Sequence, residues 1–244
     1  MYIDINCDIG EGIGNDKKLF SYISSCSIAC GGHVGDEKTM LEAIKLAKYN
    51  NVKIGAHPSY PDKNNFGRVS LTISLTELKK SIKHQLKTLN NLIIKEGLIL
   101  HHIKPHGALY NDMIKDKELS IAFLEAIIDF RERAYLYVPV NSMIEKLALE
   151  KGFKIKREAF ADRNYTNNLS LVSRKLKDAL LEDPKDVFKH ISLIVKQNKV
   201  KTIDANILKI EADTFCIHGD TPAALEIVKY LSNELPKQNI YIKN

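Results

Sequence analysis

Seven short β-rich runs separated by longer runs of helical period predict an α/β fold built from repeated βα units around a parallel sheet. The chain has 244 residues, a length common for one α/β barrel, and 44% of them are hydrophobic, enough to fill a core. Strands are expected at residues 2–7, 27–30, 52–56, 99–104, 135–138, 153–157 and 214–217. The clearest helix follows the third strand: Leu78, Ile82, Leu86, Leu89 and Ile93 recur at helical spacing, so one face must pack inward. Its start carries a capping box, Ser74 with Glu77, each side chain placed to bond the other's free backbone N–H. Asp183-Pro184 and Thr221-Pro222 set a capping oxygen before a proline at the first helical position, and residues 36–49, 111–130 and 141–151 complete the helices. No linker, low-complexity tract or repeat interrupts the pattern, so one domain over residues 1–244 is expected. Seven βα units fit an open doubly wound sheet or a barrel; the glycine fingerprint of dinucleotide-binding sheets is absent.

Composition narrows the function classes. The net charge of +6, from 36 basic and 30 acidic residues, is scattered without a basic arm or block, which argues against a nucleic-acid partner. No stretch reaches the roughly 18 consecutive apolar residues of a membrane span, and no secretory signal is readable, so no membrane partner and a cytoplasmic location are expected. Cys7, Cys26, Cys30 and Cys216 contain no Cys-x-x-Cys pair and read as buried thiols. The nearest approach to a phosphate-binding loop, Gly31 to Thr39, has Glu37 where a P-loop needs glycine before the lysine, and carries no nucleotide assignment.

In parallel α/β folds the active site lies in the loops after the strands. Six of the seven strands deliver ionisable groups there: Asp8 and Glu11, His33, His57, Lys104 and His106, then Glu158, Asp162 and Arg163, and finally His218 and Asp220. Four of the eight histidines fall at this one end, a convergence that packing alone does not explain. His84 and His190 sit in predicted helices, where a solvated or half-buried histidine is expected, and His101 and His102 in or beside a strand; these four are left outside the site. Two chemistries fit. Asp8, His33 and His57 could ligate a divalent metal that polarises a carbonyl. Alternatively, Asp or His acts as a general base on water while Lys104 and Arg163 hold a carboxylate or oxyanion. No Gly-x-Ser-x-Gly elbow supports a serine hydrolase.

The segments Asp4–Gly12, Ile28–Asp36 and Ile54–Asp62 resemble the LamB/YcsF family, the A component of prokaryotic ATP-dependent 5-oxoprolinase. Further matches follow in family order at Phe66–Arg68, Lys104–Asn111, Glu158–Tyr165, Leu171–Arg174 and His218–Pro222, so the resemblance covers essentially the whole chain. It implies an irregular seven-stranded (β/α) barrel, not fully closed, similar to the glycoside hydrolase/deacetylase superfamily. It also implies ATP-dependent ring opening of 5-oxo-L-proline to L-glutamate with partner B and C subunits, which would handle ATP, with magnesium, for the most part. Within that scheme Lys104 or Arg163 would grip the substrate carboxylate, Asp8 or Glu11 would orient or deprotonate water, and His57, His106 or His218 would shuttle protons. The competing readings are a metal-dependent deacetylase and a non-catalytic subunit that only binds ligand. Departures from the family pattern are Gly32 for Phe and Val34 for Ala, which imply a looser loop before Asp36; Asn65 for Gly and Val69 for Arg, which remove one anion contact; and Leu169 for Gly and Ser173 for Pro, which imply a different turn.

Overall fold

A computed structural model describes residues 1–12, 16–219 and 221–243. The chain opens with β1 (Tyr2–Ile3), breaks at Asp4 and enters β2 (Ile5–Ile9). A single-turn α1 (Asp16–Leu19) leads to β3 (Ser25–Ala29), α2 (Glu37–Tyr49), β4 (Lys53–His57) and α3 (Leu75–Lys95). Then come β5 (His102–Ile103), α4 (Gly107–Asp112), α5 (Lys117–Ala126), β6 (Tyr135–Pro139), α6 (Met143–Glu150) and β7 (Ile155–Phe160). A long connection reaches α7 (Pro184–Gln197), the antiparallel pair β8 (Lys199–Lys201) and β9 (Ile207–Lys209), then β10 (Thr214–Ile217), α8 (Ala224–Glu234) and β11 (Tyr241–Ile242), which lies parallel to β1. Among the described residues no helix is long and apolar enough to cross a membrane.

Seven parallel strands form a ring in the order β10-β2-β3-β4-β5-β6-β7. The ring closes because β10 pairs with β2 along one edge and with β7 along the other. This settles the choice between open sheet and barrel, and corrects the expectation of incomplete closure. Side chains alternate across each strand. On β2, Ile5, Cys7 and Ile9 join the apolar layer shared with the helices, while Asn6 and Asp8 point into the barrel.

The barrel interior is polar, and buried polar groups are tolerated only when they pair. At its lower end Ser25 and Thr214 donate to Asp4 Oδ1 at 2.9 and 2.7 Å. Above them Asn6 Nδ2 donates to Glu158 Oε1 at 3.0 Å and Thr214 Oγ1 at 2.9 Å. His102 Nε2 lies 3.1 Å from Ser27 Oγ, and its ring stacks on Tyr137 with centroids 4.0 Å apart. Gly55 on the neighbouring strand makes that possible, since a Cβ there would run into the imidazole.

Outside the ring the expected stripe of α3 is buried: Leu78, Ile82, Leu86, Leu89 and Ile93, each worth roughly 1.5–3 kcal/mol. The Ser74 hydroxyl accepts from the Glu77 N–H as expected, but the Glu77 carboxylate returns to the Ser74 hydroxyl rather than to its backbone. A complete capping box, Asp36 with Thr39, opens α2 instead.

Several expected elements differ. The helix expected over 111–130 is broken into α4, α5 and a 3₁₀ turn over Ile128–Phe130, because Asp116 caps Leu119 and Asp112 is taken up by the hydroxyls of Tyr60 and Ser70. Only two residues of 99–104 form regular ladder, although His101 and Lys104 still donate to β4 carbonyls. Asp8 and Glu158, expected after their strands, lie within β2 and β7. Thr221 does not cap α8; its hydroxyl donates to the His218 carbonyl, and the cap position is Ala223.

The reading of His190 as solvated or half-buried is also corrected. It lies on the inner face of α7, with Nε2 3.2 Å from the Phe160 carbonyl, and burial lowers its pKa to about 4. A depressed histidine leaves stability intact above the unfolded value near 6.5, and stability is lost as pH falls from there towards 4. The expected slope is about 1.4 kcal/mol per pH unit. Urea unfolding at pH 7 and pH 4.5 should show a smaller loss for His190→Gln than for wild type; equal losses would contradict this role.

Candidate active site

The upper ends of the barrel strands meet in a cleft of about 1090 Å³. Its floor is the Lys104 ammonium, delivered just after β5 and only 2% exposed. Nζ lies 2.8 Å from Asp8 Oδ1, 3.1 Å from Glu158 Oε1 and 3.0 Å from both Asn6 Oδ1 and Cys216 Sγ. Burial alone would depress this ammonium, but the Asp8 and Glu158 carboxylates outweigh it and hold its pKa well above the usual lysine value. Burial likewise pushes the Asp8 carboxyl up, but the positive charge around it, with the Lys104 ammonium 2.8 Å away, overcomes this, so Asp8 stays ionised. Burial drives the Cys216 thiol up and keeps it protonated.

Beside the floor, three imidazoles and one carboxylate converge. His33 and His106 stack face to face with centroids 3.7 Å apart, and His57 meets both edge-on. His33 Nε2 lies 3.0 Å from Glu11 Oε1, and His57 Nε2 lies 2.9 Å from His106 Nδ1. Burial lowers the pKa of His33, and that of His106 further, so both are neutral at pH 7. Phe66 packs edge-on against both rings of the stack. Phe66 and Gly67 both have left-handed backbone, φ +54° and +62°; a Cβ on Gly67 would press on His33 and His106 at 3.0 Å. Glu11, His33, His57 and His106 are close enough to one another to hold a metal ion.

The opposite wall is built by the end of β7 and the loop after β10. Asp162 is buried; its carboxylate accepts from the His218 backbone N–H at 2.9 Å and sits 3.0 Å from His218 Nδ1. Burial raises the Asp162 carboxyl, but His218 outweighs it and the net shift is downward. The His218 ring stacks on Phe160 and lines the cleft. Arg163 binds the connection after β7, donating from Nε to the Ala179 carbonyl and from Nη2 to that of Val172.

Asp8, Glu11, His33, His57, Lys104, His106, Asp162, Arg163 and His218 thus come together in or immediately behind one cleft. Asp220 lies outside the described residues. The metal set expected from sequence is regrouped: His33 and His57 gather with Glu11 and His106, while Asp8 stands beside them, 3.4 Å from His57 Nε2. The loop before Asp36 is not loose. The space above Gly32 is filled by Ser59 and Gln85, and a Cβ there would come within 2.6 Å of Gln85 Oε1. Leu169 adopts φ +62°, which accounts for the family's customary glycine. Sequence reasoning placed none of Asn6, Ser59, Phe66, Gln85 or Cys216 among the candidate site residues: Cys216 read only as a buried thiol and Phe66 only as part of a family match, and their roles come from what they touch.

Comparison with known proteins places this arrangement. The family model described as LamB/YcsF family matches residues 3–244. The A subunit of 5-oxoprolinase from Pyrococcus furiosus is 37% identical across 99% of this chain and 97% of its own length. That of Campylobacter jejuni strain 81-176 is 40% identical across 98% and 96%. The crystal structure of the lactam utilization protein from Thermus thermophilus superposes with a TM-score of 0.92 at 33% identity, covering 100% of this chain and 99% of that one. A CE4 family pseudoenzyme with restored enzymatic activity, 12% identical with a TM-score of 0.50 over 100% of this chain and 65% of its own, shares the fold alone.

Proposed function

The chain belongs to the LamB/YcsF family, and from that premise we propose that it is the A subunit of a 5-oxoprolinase, acting with partner B and C subunits in the ATP-dependent opening of 5-oxo-L-proline to L-glutamate. The observation that carries the reading is full-length likeness to relatives named for this reaction. A cytoplasmic setting goes with it, because the reaction draws on ATP.

The chemistry explains why ATP is needed. An unstrained five-membered lactam resists hydrolysis, so its amide oxygen is first phosphorylated, releasing ADP. Water then adds to the activated carbon and the ring C–N bond breaks, leaving an acyl phosphate. A second water releases phosphate and L-glutamate. With no P-loop in this chain, nucleotide and magnesium are handled mainly with the partners.

This chain's own groups suit the ring-opening half. Asp162 fixes the His218 tautomer with Nδ1–H towards the carboxylate, leaving Nε2 to take a proton from water and return it to the departing ring nitrogen. Lys104, fully charged, stabilises negative charge developing on oxygen above the floor. Arg163 positions the wall by holding the Val172 and Ala179 carbonyls. In a mixture of the two partners, ATP and 5-oxo-L-proline, glutamate should be released only when this chain is added. Equal release without it would overturn the proposal.

A further inference from the structure

The hydrogen bonds around the three clustered histidines fix where their protons lie, and they do so independently of the lactam reading. Each imidazole carries one N–H when neutral, and a carbonyl oxygen can only accept. His57 Nδ1 faces the Lys104 carbonyl at 2.8 Å, so its proton is on Nδ1 and Nε2 is bare. His106 Nε2 faces the Phe66 carbonyl at 2.9 Å, so its Nδ1 is bare. Ser59 donates its hydroxyl proton to the Tyr60 carbonyl at 2.8 Å and therefore accepts from His33 Nδ1 at 3.0 Å, leaving His33 Nε2 bare. Gln85 locks that serine, accepting from its backbone N–H and donating to its carbonyl.

All three bare nitrogens point at one another and at a carboxylate. His57 Nε2 and His106 Nδ1 are 2.9 Å apart, His33 Nε2 and Glu11 Oε1 are 3.0 Å apart, and Glu11 Oε1 lies 3.4 Å from His106 Nδ1 and 3.8 Å from His57 Nε2. Four lone-pair donors facing inward in a buried site repel unless something positive sits between them. Two extra protons would do it, or one divalent cation of the same charge. The cation satisfies all four atoms at once, and their separations bracket the edge of about 3.3 Å of a tetrahedron with metal–ligand bonds of about 2.0–2.1 Å. The outer nitrogens are already held by oxygen acceptors, the arrangement that fixes metal-ligating histidines.

We propose that Glu11, His33, His57 and His106 form a binding site for one late first-row divalent cation, with zinc the natural occupant of such a nitrogen-rich set. The neighbouring trio Asp8, Cys216 and His218 is not the site, because the Lys104 ammonium already lies 2.8 Å from Asp8 and 3.0 Å from Cys216 and would repel a metal.

Cobalt(II) is the probe. The full chain, stripped by chelator and redialysed, should bind one Co²⁺ per chain, with the visible d–d bands of a low-coordinate nitrogen-rich site and a raised melting temperature. His106→Ala should weaken binding at least about 100-fold, and Ser59→Ala, which removes only the outer partner of His33, about 10–100-fold. Cys216→Ser should bind as wild type. If His106→Ala does not fold, Glu11→Gln takes its place. No cobalt uptake by folded wild-type chain would overturn the site and leave protons bridging the four atoms. Uptake lost in Cys216→Ser but retained in His106→Ala or Glu11→Gln would overturn it in favour of the neighbouring trio.

Discussion

Lys104→Met is expected to cost the fold about 3–5 kcal/mol and to lower glutamate release by the reconstituted complex by about 10²–10³-fold. The ammonium is 2% exposed and stands between Asp8 and Glu158, with Asn6 and Cys216 completing its surroundings. Methionine fills most of the volume but leaves two carboxylates facing each other in the barrel without a counter-charge. The wild-type Asp8 carboxyl is held below its ordinary value of about 3.9, so its contribution to stability is complete at neutral pH and is lost as pH falls below that value. In the variant, with Lys104 gone, protonating one carboxylate relieves the repulsion, and the stability deficit should shrink on acidification. Urea unfolding at pH 7 and pH 5 checks both statements. A variant within about 1 kcal/mol of wild type at pH 7 would show that the floor is not an ion-paired lysine.

Asp162→Asn should act on turnover and hardly at all on folding. Its carboxylate accepts both the backbone N–H and Nδ1–H of His218. Asparagine keeps the shape and one acceptor, but its amide can turn an N–H towards Nδ1 and move the imidazole proton to Nε2, the atom that has to receive one. A general base held in the wrong tautomer forfeits about 10²–10⁴-fold in rate. Substrate binding relies on other groups, so kcat should fall with KM little changed. Loss confined to KM would make the pair a binding feature instead.

The barrel was legible in outline because its signals are local. Alternating Ile5, Cys7 and Ile9 against Asn6 and Asp8 marks a strand with two different faces, and the stripe on α3 marks a helix packed on one side. Ring closure was not legible, since it depends on β10 reaching β2 from the far end of the sequence. The site's membership was readable from strand ends, yet its grouping was not. Whether Asp8 or Glu11 faces the histidines depends on where β2 stops, and the strand runs past Asp8 to Ile9, aiming that carboxylate at Lys104 and leaving Glu11 to the imidazoles. Gln85 escaped notice for a similar reason: a polar residue on a buried helical stripe has meaning only once Ser59 and Gly32 are seen beside it.

In the proposed cycle water attacks the lactam within this chain's cleft, with His218 taking the proton, and the catalytic roles given to Lys104 and Asp162 depend on that step. It is tested by glutamate release from 5-oxo-L-proline in a complex where only His218 of this chain is changed to alanine, with assembly verified by size-exclusion chromatography. The expected result is a fall of about 10²–10⁴-fold with the complex intact. Release at the wild-type rate would contradict the cycle and make the chain a ligand-holding component whose partners carry out the chemistry.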